Sequence, residues 1–367
     1  METQAVVRNL SVVKSERVVV IDSLRGIAAL AVVLFHYIGF IPLMGIPVSK
    51  AGSMVVKVTR YGHLGVPVFF VLSGYVIAMT SARYSFDLAT GSRFLLRRMV
   101  RLAPPYWAMI VLIVVTQSAG HAAGYFRNSL VTPGQVAAHL FYAQDLLGFP
   151  PLDIAYWTLC LEVQFYLVFS ISAVAFHKCS HWGKAGWFFA LTLASFMVNC
   201  FGVVPQAWCP LLWYQFGIGI LTFYCVGHRP AQLALILLLC SLLAIRLYHN
   251  QPEDITLLLV VLLLIGSNRI FQNTTTLGCK ILLHLGRISY SLYLVHGFIG
   301  IGLSLWFRSS GNRTETASWM AIGVSTIAAL IFATLFYQFC ELRAVEWSRA
   351  IRIGVSQSPS VERIGKT

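Results

Sequence analysis

The chain has 367 residues, 57% of them apolar and only 11% charged, with 27 Lys and Arg against 13 Asp and Glu. Soluble domains carry about 25% charged residues, so this composition excludes a soluble globular protein and a disordered chain. The eight cysteines are too sparse for a disulfide scaffold and show no metal-type CxxC spacing, so no metal is expected. The net charge of +14 lies in short clusters between apolar runs rather than in one patch interleaved with aromatics. That distribution points to a bilayer with its lipids, not to nucleic acid.

Residues 1–20 form a polar, basic leader with no cleavable signal. A crossing helix needs about 20 apolar residues to span roughly 30 Å of hydrocarbon. Ten stretches qualify: 21–41, 63–81, 103–119, 156–176, 186–204, 208–226, 231–247, 255–270, 281–307 and 317–339. The expectation is an all-α polytopic membrane protein of about ten helices, with one transmembrane domain over 21–341 and a polar tail over 342–367. With ten spans and the N-terminus inside, twenty of the 27 Lys and Arg fall on the inner side and seven on the outer. The positive-inside rule then makes both termini cytoplasmic. Pro104 and Pro105 open the third span, where a first helical turn tolerates them.

Polar residues within the spans are costly and usually face a cavity or pathway. In the first span Arg25 and His36 are eleven residues apart. At about 100° and 1.5 Å per residue they share one face, some 16 Å apart along the axis. Two readings stand: a groove with a charge at its mouth and an imidazole in its depth, or a snorkelling arginine and a histidine bonded to a neighbouring helix. The run Gly65 to Tyr75, with Pro67, Ser73 and Gly74, predicts either a bent helix beside a site or close packing through small residues. Arg93, Arg97, Arg98 and Arg101 form a loop suited to anionic lipid or to a phosphorylated cytosolic ligand. The longest outer loop, about 120–155, with His121, His139, Asp145 and Asp153, offers an entry platform from outside. Trp157, Glu162 and Tyr166 make a second polar stripe, in which Glu162 either works chemically or pins helices through a cation. Ser289, Tyr290, Ser291, Tyr293 and His296 are dense enough to line a cavity, although Tyr293 alone reads as interhelical glue.

Together these segments resemble the acyltransferase-3 family of integral-membrane O-acyltransferases over nearly the whole chain. Asp22 to Ala29 with ten residues between Arg25 and His36, the Gly65–Tyr75 run, Arg98-x-x-Arg101-Leu102 with Pro104 and Tyr106, Trp157-Thr158-Leu159 with Glu162, and Ser289-Tyr290 with Tyr293 and His296 occur in the family's order. The resemblance implies a ten-helix core in a bacterial inner membrane, acyl-CoA as donor, and a hydroxyl of a carbohydrate or lipid-linked glycan as acceptor. It implies no permanently bound cofactor, acetyl-CoA being a co-substrate. Its stand-alone members act on O-antigens, exopolysaccharides or rhizobial lipo-chitooligosaccharide (nodulation) signals, and this chain resembles those.

The resulting expectation places the CoA phosphates on Arg25, Arg97, Arg98 and Arg101, and makes His36 the general base, acting directly or through an acyl-imidazole. Glu162 orients His36 or the acceptor, Tyr293 and His296 polarise the thioester carbonyl, and Ser73, Gly74, Trp157 and Tyr166 shape the site. The rival from another class is a proton-coupled glycan exporter or flippase using His36 and Glu162 as a relay.

Overall fold

The computed structural model describes residues 2–43, 45–124, 130–202, 208–248, 254–270, 277–309 and 314–354. Among them the regular elements are all helices. Eight are long and apolar enough to cross a membrane: Val19–Leu43, Lys50–Ser81, Leu88–Ala122, Trp157–Ala175, His181–Phe201, Arg229–Leu247, Ser289–Phe307 and Glu315–Ala350. The protein is an all-α polytopic membrane protein.

Two of the ten expected spans are shorter. Ile255–Ile270 has 16 residues and Trp213–Cys225 only 13, ten of them from Trp213 to Thr222 buried. At 1.5 Å per residue the latter covers about 20 Å, so the stretch expected as span 208–226 is an enclosed core helix. Glycine places it. A β-carbon at Gly74 would overlap the Phe216 carbonyl, and one at Gly219 the Val71 carbonyl. The Gly65–Ser81 helix therefore crosses Trp213–Cys225 backbone to backbone. It is a regular helix through Pro67, so the expected bend is absent and Gly74 serves packing rather than a site. Gly74→Val should lower the thermal midpoint and yield of purified protein, because overpacking costs about 1–3 kcal/mol. Gly323→Val, where a side chain meets nothing within 4 Å, should not.

Four sequence expectations change. First, the helix beginning at Glu2 runs unbroken to Ile38, so the leader is helical. Second, the arginine cluster is helix, not loop. Asp87 caps its start, the side chain accepting from Thr90 N at 2.7 Å, and Leu88–Ala122 continues through Pro104 and Pro105. Those prolines sit in the interior and leave the carbonyls of Val100 and Arg101 without their intrahelical donors. Beside that step the Tyr290 hydroxyl donates to the Leu102 carbonyl at 2.8 Å, clamping two helices together.

Third, the expected span 281–307 is two helices, Leu277–Arg287 and Ser289–Ser309, meeting at Ile288. The first packs along the opening helix, where Gly286 meets the Asp22 backbone too closely for any side chain. The break exposes amide donors at the start of the second. Glu341 satisfies one of them: its Oε2 accepts from Ser291 N at 3.1 Å, and from Ser291 Oγ at 2.6 Å. Glu341 closes a π-turn, Tyr337–Glu341, whose extra residue turns it inward. Fourth, the expected tail starts as a helix, Leu342–Ala350, packed against Leu88–Ala122.

The outer loop folds onto the bundle through Pro133–Leu140. His139 is 0% exposed, with Leu152 N donating to its Nε2 at 3.2 Å and its Nδ1 2.8 Å from the Tyr106 hydroxyl. Burial lowers its pKa to about 4, so it is a neutral structural pin. Asp153 is also buried, its Oδ1 accepting from Ala155 N at 3.0 Å and its Oδ2 crowding Gly297. Burial raises its pKa from 3.8 to about 7. A carboxyl raised in the folded state is stabilising while protonated, and loses that contribution as pH rises toward 7. Asp153→Asn mimics the protonated acid. Its unfolding free energy, read from thermal melts, should come closest to the wild type near pH 4 and exceed it at pH 8, by up to about 4 kcal/mol at ~1.36 kcal/mol per unit.

Candidate active site

Five helices, the first among them, line a cavity. Arg98, Arg101 and Tyr166 stand at one end. Arg25, Ser73, Glu162 and Ser289 form a polar belt in the middle. Phe69, Thr158 and Tyr293 line the far end. The order follows from helix geometry: residues three and four apart share a face, so Phe69, Ser73 and Val76 make one wall and Thr158, Glu162 and Tyr166 another.

The belt is tightly bonded. Arg25 Nε donates to Ser289 Oγ at 3.3 Å. Its guanidinium is attracted by Glu162, Glu341 and Asp22 and repelled by Arg101. Glu162 Oε1 accepts from Ser73 Oγ at 3.2 Å and from the Tyr166 hydroxyl. Arg98 donates to Thr80 Oγ1 at 2.7 Å while its guanidinium lies 5.4 Å from the centre of Phe94 and 5.9 Å from that of Tyr166. At the far end the Tyr293 hydroxyl donates to the Ala155 carbonyl at 3.0 Å and sits 2.7 Å from Thr158 Oγ1.

Beyond Tyr293 stands a histidine pair. His296 Nε2 is 3.2 Å from His36 Nδ1, and the rings are 5.1 Å apart. Tyr293 lies 5.7 Å from His296, centre to centre, and meets Phe69 edge-on at 5.8 Å. His296 is fully buried, its carbonyl accepting from the Tyr37 hydroxyl at 2.8 Å, whereas His36 is only partly buried.

Several expected residues thus meet and several do not. Arg25, Ser73, Arg98, Arg101, Glu162, Tyr166 and Tyr293 line one cavity. His36 and His296 lie one aromatic ring beyond it. Arg97 lines an adjoining cavity instead. Glu162 bonds Ser73 and Tyr166 rather than His36, whose partner is His296. Trp157 is 38% exposed and outside the lining, in keeping with an aromatic at a membrane interface. Thr158 and Glu341 gain roles that sequence reading did not assign. Glu341 had a signal, an ionisable residue ending an apolar run. Among the described residues no group of three or more His, Cys, Asp or Glu forms a metal-binding cluster.

Residues 18–338 match the family model for an acyltransferase domain, Acyl_transf_3. The exopolysaccharide production protein ExoZ of Rhizobium meliloti is 31% identical over 248 residues, 65% of this chain and 76% of that protein. The peptidoglycan O-acetyltransferase OatA of Listeria monocytogenes is 28% identical over 173 residues, 43% of this chain but 24% of its own length. The putative membrane-bound transacylase BcsY of Komagataeibacter xylinus is 30% identical over 172 residues, 44% of this chain and 38% of its own. No solved structure matches.

Proposed function

The chain belongs to the acyltransferase-3 family and is a membrane acyltransferase, and from that premise we propose that it transfers an acetyl group from cytosolic acetyl-CoA to a hydroxyl of a cell-surface or secreted glycan. The observation that carries this reading is the cavity with arginines at one end and, one ring beyond the other, a histidine pair. An arginine mouth suits phosphates, and the positive-inside rule supports a cytoplasmic side for that end. Relatives named for exopolysaccharide production and peptidoglycan O-acetylation support a glycan acceptor.

The hydrogen bonds assign the base. His296 Nδ1 is 2.8 Å from the Tyr293 carbonyl, which only accepts, so that nitrogen carries the proton. Neutral His296 therefore presents a lone pair at Nε2, and His36 must donate to it from Nδ1. The lone pair of His36 then lies on Nε2. The acceptor oxygen attacks the thioester carbonyl carbon as His36 Nε2 takes its proton. The carbon–sulfur bond breaks, and the same nitrogen returns the proton to the departing CoA sulfur. Phe69, Thr158 and Tyr293 border the space for the thioester at the far end of the cavity. Arg25 and Glu162 set the belt through which the pantetheine arm passes.

The test is transfer itself. Membranes containing the protein, given radiolabelled acetyl-CoA and extracted exopolysaccharide, O-antigen or lipo-chitooligosaccharide, should yield alkali-labile labelled glycan, with the mass increment of one acetyl ester. Movement of unmodified glycan with no new ester would favour the proton-coupled exporter instead.

A further inference from the structure

The donor cavity adjoins a second one, the two sharing Val76, Arg98 and Arg101 as lining. Arg83, Arg97 and Arg349 join its wall, so five guanidiniums surround one space with no carboxylate among its lining residues. Among the described residues none of Arg83, Arg97 and Arg349 has a carboxylate within ion-pair distance. Five like charges around one volume repel, and an anion placed among them relieves that repulsion. The wall is not wholly charged. Tyr84 and Phe94 line it too, meeting edge-on at 6.4 Å.

The far wall comes from Val345, Ser348, Arg349 and Ile353, beyond residues 18–338 that match the family model. Its position is fixed by the π-turn at Tyr337–Glu341 and the Glu341–Ser291 bonds, which hold Leu342–Ala350 against Leu88–Ala122.

We propose that the helix Leu342–Ala350 completes a nucleotide vestibule, in which Arg349 and Arg83, with Arg97, hold the 3′-phosphate and 5′-diphosphate of the adenosine end of acyl-CoA. The inference rests on the acyl-CoA reading above and adds to it a binding element outside the family domain. Arginine's planar fork suits terminal phosphates, and an adenine ring fits an aromatic wall. A short polar stem then leads past Arg98 and Arg101 to the belt, so the nucleotide anchors outside while the arm threads inward.

Two donors test the vestibule: acetyl-CoA, and S-acetylpantetheine, which lacks the nucleotide. In purified full chain, Arg349→Ala and Arg83→Ala should each lower kcat/KM for acetyl-CoA about tenfold more than for S-acetylpantetheine. The double variant should nearly erase the preference for acetyl-CoA. Adenosine 3′,5′-bisphosphate should bind the wild-type chain in nanodiscs, the double variant more than tenfold more weakly, and Lys replacements in between. Size-exclusion profiles identify any variant that fails to fold, and the single variants, at exposed positions, give the same readout separately.

Equal losses with both donors, or bisphosphate binding untouched in the double variant, would overturn the vestibule while leaving the acyltransferase reading in place. Anionic lipid headgroups share the phosphate chemistry. If the arginines serve them, the double variant changes stability only in phosphatidylglycerol nanodiscs and wild-type bisphosphate binding is absent, which also overturns it. Wild-type protein that makes no ester from either donor, yet binds bisphosphate, would sink the transfer reading alone.

Discussion

Replacing His36 by alanine should abolish ester formation while leaving folded protein in the membrane. His36 is the partly buried member of the histidine pair and the one whose Nε2 keeps a lone pair. Among the described residues beside the Tyr293 end of the cavity, His36 is the titratable group whose proton-accepting site is open. Tyr293 has already placed its proton toward Ala155, and His296 accepts from His36. A lost general base costs about 10²–10⁴-fold, so acetylated glycan should fall below detection in an ordinary assay. The KM for acetyl-CoA should hold, because the arginines proposed to bind its phosphates lie at the opposite end. Mass spectrometry of glycans from cells carrying the variant, beside a blot of membrane protein, checks both parts.

The second large effect belongs to His296. It is a positioning residue: it touches His36 rather than substrate. His296→Leu removes the acceptor that holds the His36 proton on Nδ1, and lets the imidazole present a proton where a lone pair is needed. Turnover should fall about 100-fold with little change in KM. His296→Gln keeps an acceptor oxygen near the position of Nε2 and should recover most of the rate. A merely structural histidine would not discriminate in this way. Both replacements would then track the thermal midpoint, and a Gln variant as inactive as the Leu variant while equally stable would remove the tautomer argument.

Much of this arrangement is legible in the sequence because membranes punish polar groups. Arg25, Glu162, Arg98 and Tyr293 stand out in apolar runs, and the structure gathers all four around one cavity. Helical periodicity carries them there without knowledge of the neighbours. What periodicity cannot supply is which helices touch. Glu162 and His36 look paired by depth, yet Ser73 and Tyr166 take the carboxylate, and His296, 260 residues from His36, takes the imidazole.

Backbone events were equally hidden. The break at Ile288 and the π-turn at Tyr337–Glu341 leave no compositional mark, so one expected span becomes two helices and an expected tail becomes a wall. By hydropathy the run 208–226 qualifies as a span, whereas Gly74 and Gly219 draw Trp213–Cys225 into the core. Hydropathy does not separate an apolar helix in lipid from one inside protein.

In the proposed reaction the acyl group travels from the arginine mouth to the Tyr293 end of one cavity. The most direct measurement is photo-crosslinking with a short acyl-CoA bearing a diazirine on its acyl chain, followed by peptide mapping. Adducts should fall on Phe69, Thr158 and Tyr293, and excess unlabelled acetyl-CoA should suppress them. Adducts confined to the apolar groove around Gln117, Ile299 and Val324 on the other side of the Ser289–Ser309 helix, or labelling that acetyl-CoA does not compete away, would contradict it.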